Sequence, residues 1–130
     1  MGAYVSANDA LSLRNEGEIR CYPVSYERAW AVMVTAIRNH AFTMVSTDKG
    51  RGEIVVSRVM NENPAVCWVV GIFLVPIRQW DTDGTQIEMG FTRALGICGA
   101  AALENPASIL YRSFETELKG QVESVETSTR

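Results

Sequence analysis

The residues able to do chemistry in this chain are few and widely spaced. His40 is the only histidine, so a Ser-His-Asp or Cys-His nucleophile would have to be built on it. It follows Asn39 at the end of a helical pattern, where the helix dipole favours an imidazole, and no nucleophile motif accompanies it. Metal binding would need a second ligand at H-x-x-x-H or H-E spacing, and neither occurs. Cys21, Cys67 and Cys98 are too far apart for a C-x-x-C knuckle or redox pair. Each has apolar or aromatic neighbours, as small buried hydrophobes do, and an odd count leaves at least one thiol unpaired. A Cys21–Cys67 bridge stays open. Asp48, Glu53, Asp81 and Asp83 could supply paired carboxylates for acid–base work. All four lie in or beside turn sequences, where local backbone hydrogen bonding explains them. Gly50-Arg51-Gly52 fits neither G-x-G-x-x-G nor a Walker loop, and it joins strand to strand. These residues predict no catalytic site, no cofactor and no metal: the chain reads as a non-enzyme.

Positioning side chains of any kind needs a core, and 130 residues suffice for one domain but not for two ordinary ones. Hydrophobic residues at 47% and charged ones at 21% place the chain among globular proteins, which excludes wholesale disorder. A net charge of −3 provides no cationic field for nucleic acid or anionic lipid. Met1 to Gly17 lacks the basic and apolar regions of a secretory signal. The longest apolar run, Ala65 to Ile77, is shorter than the ~20 residues a spanning helix needs.

Residues 1–17 are polar apart from Ala10-Leu11-Ser12-Leu13 and read as a flexible arm. Glu18 to Tyr22 alternates like a strand, and Pro23 holds Tyr22 extended. Ser25 is an N-cap, with Glu27 suited to the first turn. Arg28 stands where a capping box would want Glu or Gln. Ala29, Val32, Met33, Ala36 and Ile37 then recur at helical spacing to Asn39, opposite Arg28, Thr35 and Arg38, as in a helix lying on a sheet. Phe42–Thr47 and Glu53–Arg58 are strands around Asp48-Lys49-Gly50-Arg51-Gly52, whose glycines permit a hairpin. Ala65 to Ile77 follows a loop and, being β-branched with Gly71 and Pro76 inside, reads as a strand continuing to Trp80. A turn at Asp81-Thr82-Asp83-Gly84 precedes residues 86–92, where Ile87, Met89 and Phe91 face one way and Gln86, Glu88 and Thr92 the other. Residues 94–104 fit no element. Asn105-Pro106 opens a second helix with Leu110, Phe114, Leu118 and Val122 inward, fraying from Gln121.

The 65–77 strand is apolar on both faces, the Cys67, Val69, Gly71, Phe73, Val75 set and the Val66, Trp68, Val70, Ile72, Leu74 set alike. In a two-layer domain one face should be polar. This predicts an interface for self-association or a protein partner, with Trp68, Val70, Ile72 and Leu74 as its candidate residues. The competing reading is a cover by the arm or by residues 94–104. Of the tryptophans, Trp30 has a natural core position, and Trp68 and Trp80 bracket this strand.

The stretch Val24-Ser25-Tyr26-Glu27-Arg28-Ala29-Trp30, its helix, and Phe42 through Asp48-Lys49-Gly50-Arg51-Gly52-Glu53-Ile54 resemble small bacterial cell-envelope lipoprotein domains, including BamC-like ones. Leu110-Tyr111-Arg112-Ser113-Phe114 fits their closing helix. The resemblance covers residues 18–58 and 106–119 and rests on structural positions. It implies periplasmic or envelope location, with the cytoplasm as alternative. Membrane contact would then come only through a lipid-bearing cysteine ahead of Gly2, for which Met1 stands. A weaker likeness is to helix-grip ligand binders, which need a longer sheet around a long terminal helix.

The expected architecture is α+β, an antiparallel sheet of four to five strands with two helices on one face. The expected domain spans residues 18–122, with a polar tail at 123–130. The expected role is structural or protein-interacting. The alternative is a small-molecule module with a pocket between helix and sheet.

Overall fold

A computed structural model describes residues 17–40, 42–59, 66–79, 81–93 and 105–128. Its strands are β1 (Glu18–Tyr22), β2 (Thr43–Asp48), β3 (Glu53–Val59), β4 (Val66–Gln79) and β5 (Thr82–Arg93); its helices are α1 (Tyr26–Asn39) and α2 (Pro106–Ser128). The strands form one sheet in the order β1-β5-β4-β3-β2, antiparallel at every step. The class is α+β, with both helices packed on one face.

Each helix starts for a local reason. The Ser25 hydroxyl accepts the backbone N–H of Arg28 at 3.3 Å. Asn105 Oδ1 accepts those of Ala107 and Ser108 at 2.9 and 3.3 Å. These bonds satisfy amides that the first helical turn would leave unpaired. α1 buries Ala29, Val32, Met33, Ala36 and Ile37 completely. α2 adds Ala107, Leu110, Tyr111 and Phe114, and the Ser113 hydroxyl donates to the Ala36 carbonyl at 3.3 Å between the helices. Under them lie Ile54 and Val56 of β3, Val70, Ile72 and Leu74 of β4, and Ile87 and Met89 of β5. Alternation puts these side chains on one face.

Two boundaries differ from the sequence reading by more than two residues. The β4–β5 connection is tighter, because Gln79 pairs with Thr82 and Arg78 with Asp83. Asp83 and Gly84 therefore sit within β5, and the chain reverses between Gln79 and Thr82, where Asp81 has φ 60°. Aspartate tolerates that left-handed conformation better than most residues. α2 continues to Ser128, through the segment expected to fray. The arm lies outside the described residues except Gly17, and so do residues 94–104.

The larger correction concerns β4. Val70, Ile72 and Leu74, expected at an interface, are 1% exposed or less because they form the floor of the core beneath the helices. The opposite face is no free surface either: Val55, Val69, Phe73 and Glu88 are each 4% exposed or less. The backbone N–H of Gly17 donates to Glu88 Oε2 on that face at 3.0 Å. Apolar residues on both sides of β4 thus mark burial on both of its faces.

Candidate functional site

With both faces buried at the centre of the sheet, its accessible features are its edges, its turns and the outer surfaces of its helices. The two edges differ. At β2 the pairing shifts between Met44 and Ser46, leaving Val45 out of register and 45% exposed. Thr43, Ser46, Thr47 and Asp48 beside it are exposed. A bulge with polar neighbours discourages further strand pairing. β1 has no such break. Its pairing with β5 runs from Glu18↔Met89 to Tyr22↔Thr85 without a shift. Ile19 is 53% exposed, and Glu18 and Cys21 are exposed beside it. Even-numbered residues of β1 face the helices, and odd-numbered ones point away.

On the helix side, β1 carries a polar cluster. Arg20 Nε meets Glu18 Oε2 at 2.8 Å, and its Nη1 meets Glu115 Oε1 on α2 at 3.0 Å. The guanidinium carbon lies 4.3 Å from the centre of the Tyr111 ring, a cation–π arrangement. The Tyr22 hydroxyl donates to Glu115 Oε1 at 2.9 Å. The buried Tyr111 hydroxyl lies 2.7 Å from the Glu18 carbonyl oxygen and 2.9 Å from that of Ile87, so its one proton is shared between them. Burial raises the phenol pKa of both tyrosines, since it penalises the phenolate; Glu115 adds to this at Tyr22, and Tyr22 adds to it at Tyr111. The cluster fastens α2 to the edge strand. Its ion pairs are well exposed and contribute geometry more than stability.

The sequence-derived candidates lie elsewhere and apart from one another. His40 caps the C-terminus of α1, with its backbone N–H donating to the Ile37 carbonyl at 3.4 Å. It lines an open cleft of about 210 Å³ with Asn39, Arg112 and Glu117, and Asn39 Nδ2 donates to Glu117 Oε1 at 2.7 Å. Asp48 Oδ1 accepts the backbone N–H of Arg51 at 3.1 Å inside the β2–β3 turn. Glu53 opens β3, and Asp81 and Asp83 are exposed near the β4–β5 reversal. A second open cleft, about 220 Å³, lies beside Tyr26, Gly52 and Leu74. There the Tyr26 hydroxyl donates to the Lys49 carbonyl at 2.5 Å, tying α1 to the turn.

Cys21 corrects the buried-thiol expectation: it is free and exposed, because it sits at an odd position of an edge strand. The side chains of Cys67 and Cys98 lie outside the described residues. Trp68 is half-buried, its ring meeting Phe91 edge-on with centroids 5.3 Å apart, and Phe91 is 36% exposed. Of the four residues expected at an interface, Trp68 alone escapes full burial. The residues that sequence reasoning missed are Ile19, Arg20 and Glu115. Their only sequence signal was the alternation of Glu18, Arg20 and Tyr22, which identifies a strand but not an edge.

Among the described residues no helix is long and apolar enough to cross a membrane. No protein-family model matches the chain, and no curated protein matches it in sequence.

Proposed function

We propose that the protein is a non-enzymatic cell-envelope domain of structural or protein-interaction role, and that it works through contacts made at the β1 side of its sheet. The observation that carries the contact role is the unbroken, exposed edge at β1, with Ile19 more than half exposed between two charged residues. An unbulged edge offers main-chain hydrogen bonds to an added strand, and its side chains select the partner. The envelope setting is supported by the resemblance of residues 18–58 and 106–119 to envelope lipoprotein domains.

A ligand module with a pocket between helix and sheet is less well supported. Val32, Met33, Ala36, Ile37, Leu110, Tyr111 and Phe114 fill that space with no exposure. The clefts beside His40 and Tyr26, about 210 and 220 Å³, fall below the ~300–1,000 Å³ usual for a ligand site.

A photo-crosslinking residue at Ile19, compared with one at Arg51 on the β2–β3 turn, tests the contact role in cells expressing the native gene. Adducts at position 19 well above those at position 51 are expected. Equal yields would refute the contact role of this edge. Fractionation of the same cells tests location, and recovery in the cytosolic fraction would refute the envelope setting.

A further inference from the structure

We propose that the partner for the β1 edge is a second copy of this chain, joined strand to strand in an antiparallel register centred on Ile19. This rests on the contact role proposed above and names its occupant. The argument is one of charge complementarity and symmetry. Glu18 and Arg20 flank Ile19 on the same face of β1 and carry opposite charge. A two-fold axis through Ile19 sets Glu18 of one copy opposite Arg20 of the other, and Arg20 opposite Glu18. The same operation stacks Ile19 on Ile19, covering on each copy the most exposed of the large hydrophobic side chains among the described residues. A centre on Arg20 would oppose two guanidinium groups, which disfavours that register. At the other edge, the bulge at Val45 removes the regular pairing that a symmetric partner needs.

The product is one continuous ten-stranded sheet across two molecules. A strand of five residues buries a modest area, so the dimer belongs to the weak class, with Kd in roughly the micromolar to millimolar range. Its strength should fall with added salt as the paired charges are screened.

Sedimentation of the full chain over a concentration series up to about 1 mM tests association directly. A reversible doubling of mass is expected for the parent and its loss for Ile19→Lys. Arg20→Glu should weaken association about tenfold, by placing like charges opposite one another, and the exchange Glu18→Arg with Arg20→Glu should restore most of it. In a Cys21→Ser background, Ile19→Cys should form a covalent dimer on mild oxidation at the concentrations where the parent associates, and Cys21→Ser alone should not. Thermal melts confirm that each variant is folded.

A parent that stays monomeric throughout overturns the proposal, as does a dimer indifferent to Ile19→Lys or a position-19 cysteine that fails to cross-link. If adducts in cells at position 19 join other proteins while the purified chain is monomeric, self-pairing fails and the contact role stands. If no adduct forms at position 19, both fail.

Discussion

Alkaline unfolding offers the most direct test of how β1 and α2 are fastened together. Tyr22 and Tyr111 are held protonated in the fold by burial, so their folded pKa values lie above the ordinary value of 10.0. In the unfolded chain both ionise near that ordinary value. Above it the folded state binds more protons than the unfolded one, and stability falls as pH rises. The contribution is complete below about pH 10 and is lost progressively towards the raised folded pKa. A fully buried phenol costs about 1.4 kcal/mol per pH unit across that window. Tyr111 is completely buried and counts in full, about 2 kcal/mol by pH 11.5. Tyr22 is half exposed beside Glu115, where solvent screens the interaction, so about half that value is appropriate. The combined loss of about 3 kcal/mol is a large share of the stability of a small domain. Urea unfolding between pH 8 and about 11.5 should show the midpoint falling by about 2 M. Tyrosinate absorbance, measured in parallel, should lag that of a denatured reference. The Tyr22→Phe/Tyr111→Phe variant, although less stable at neutral pH, should lose most of this slope, with Tyr26, also raised by burial, supplying a remainder. A flat wild-type profile, or an equally steep fall in the double variant, would refute the reasoning.

Three substitutions probe the rest of the frame. Met33→Asp buries a charge on the inner face of α1, within the core, and should cost several kcal/mol or abolish folding, read as a lost thermal transition. Gly52→Ala should cost about 2 kcal/mol or more, because Gly52 has φ 70° and a Cβ would run into the Leu74 carbonyl; an unchanged melting temperature would contradict this turn geometry. Gly120→Ala should stabilise by about 0.5–1 kcal/mol, since Gly120 lies inside α2 with open space around it, and a drop in stability would argue against helix there.

The chain made its local structure legible because the signals for that structure are local. Ser25 and Asn105 mark helix starts through bonds spanning two or three residues. The spacing of Ala29, Val32, Met33, Ala36 and Ile37 states which face of α1 is buried. β1 was bounded correctly by its alternation and Pro23, and the glycines at 50 and 52 placed the first hairpin. The α+β class follows from those elements taken together. His40 as a helix cap and Asp48 as a turn residue were readable for the same reason.

What the chain could not state was which strand lies beside which. β1 pairs with β5, more than sixty residues away, and that pairing makes β1 an edge and β4 a central strand. Period-two alternation gives the parity of a strand but not its neighbours or which face lies under the helices. Val70, Ile72 and Leu74 were therefore assigned to an interface when they form the floor of the core, and Cys21 was assigned to the interior when it is at the rim. Arg20 and Glu115 meet only because α2 packs across β1. The sequence by itself determined which segments become helix or strand, through hydrogen bonds and side-chain periodicity confined to a few residues. Tertiary structure alone decided what is centre and what is edge, because that depends on burying apolar surface between segments distant in the chain.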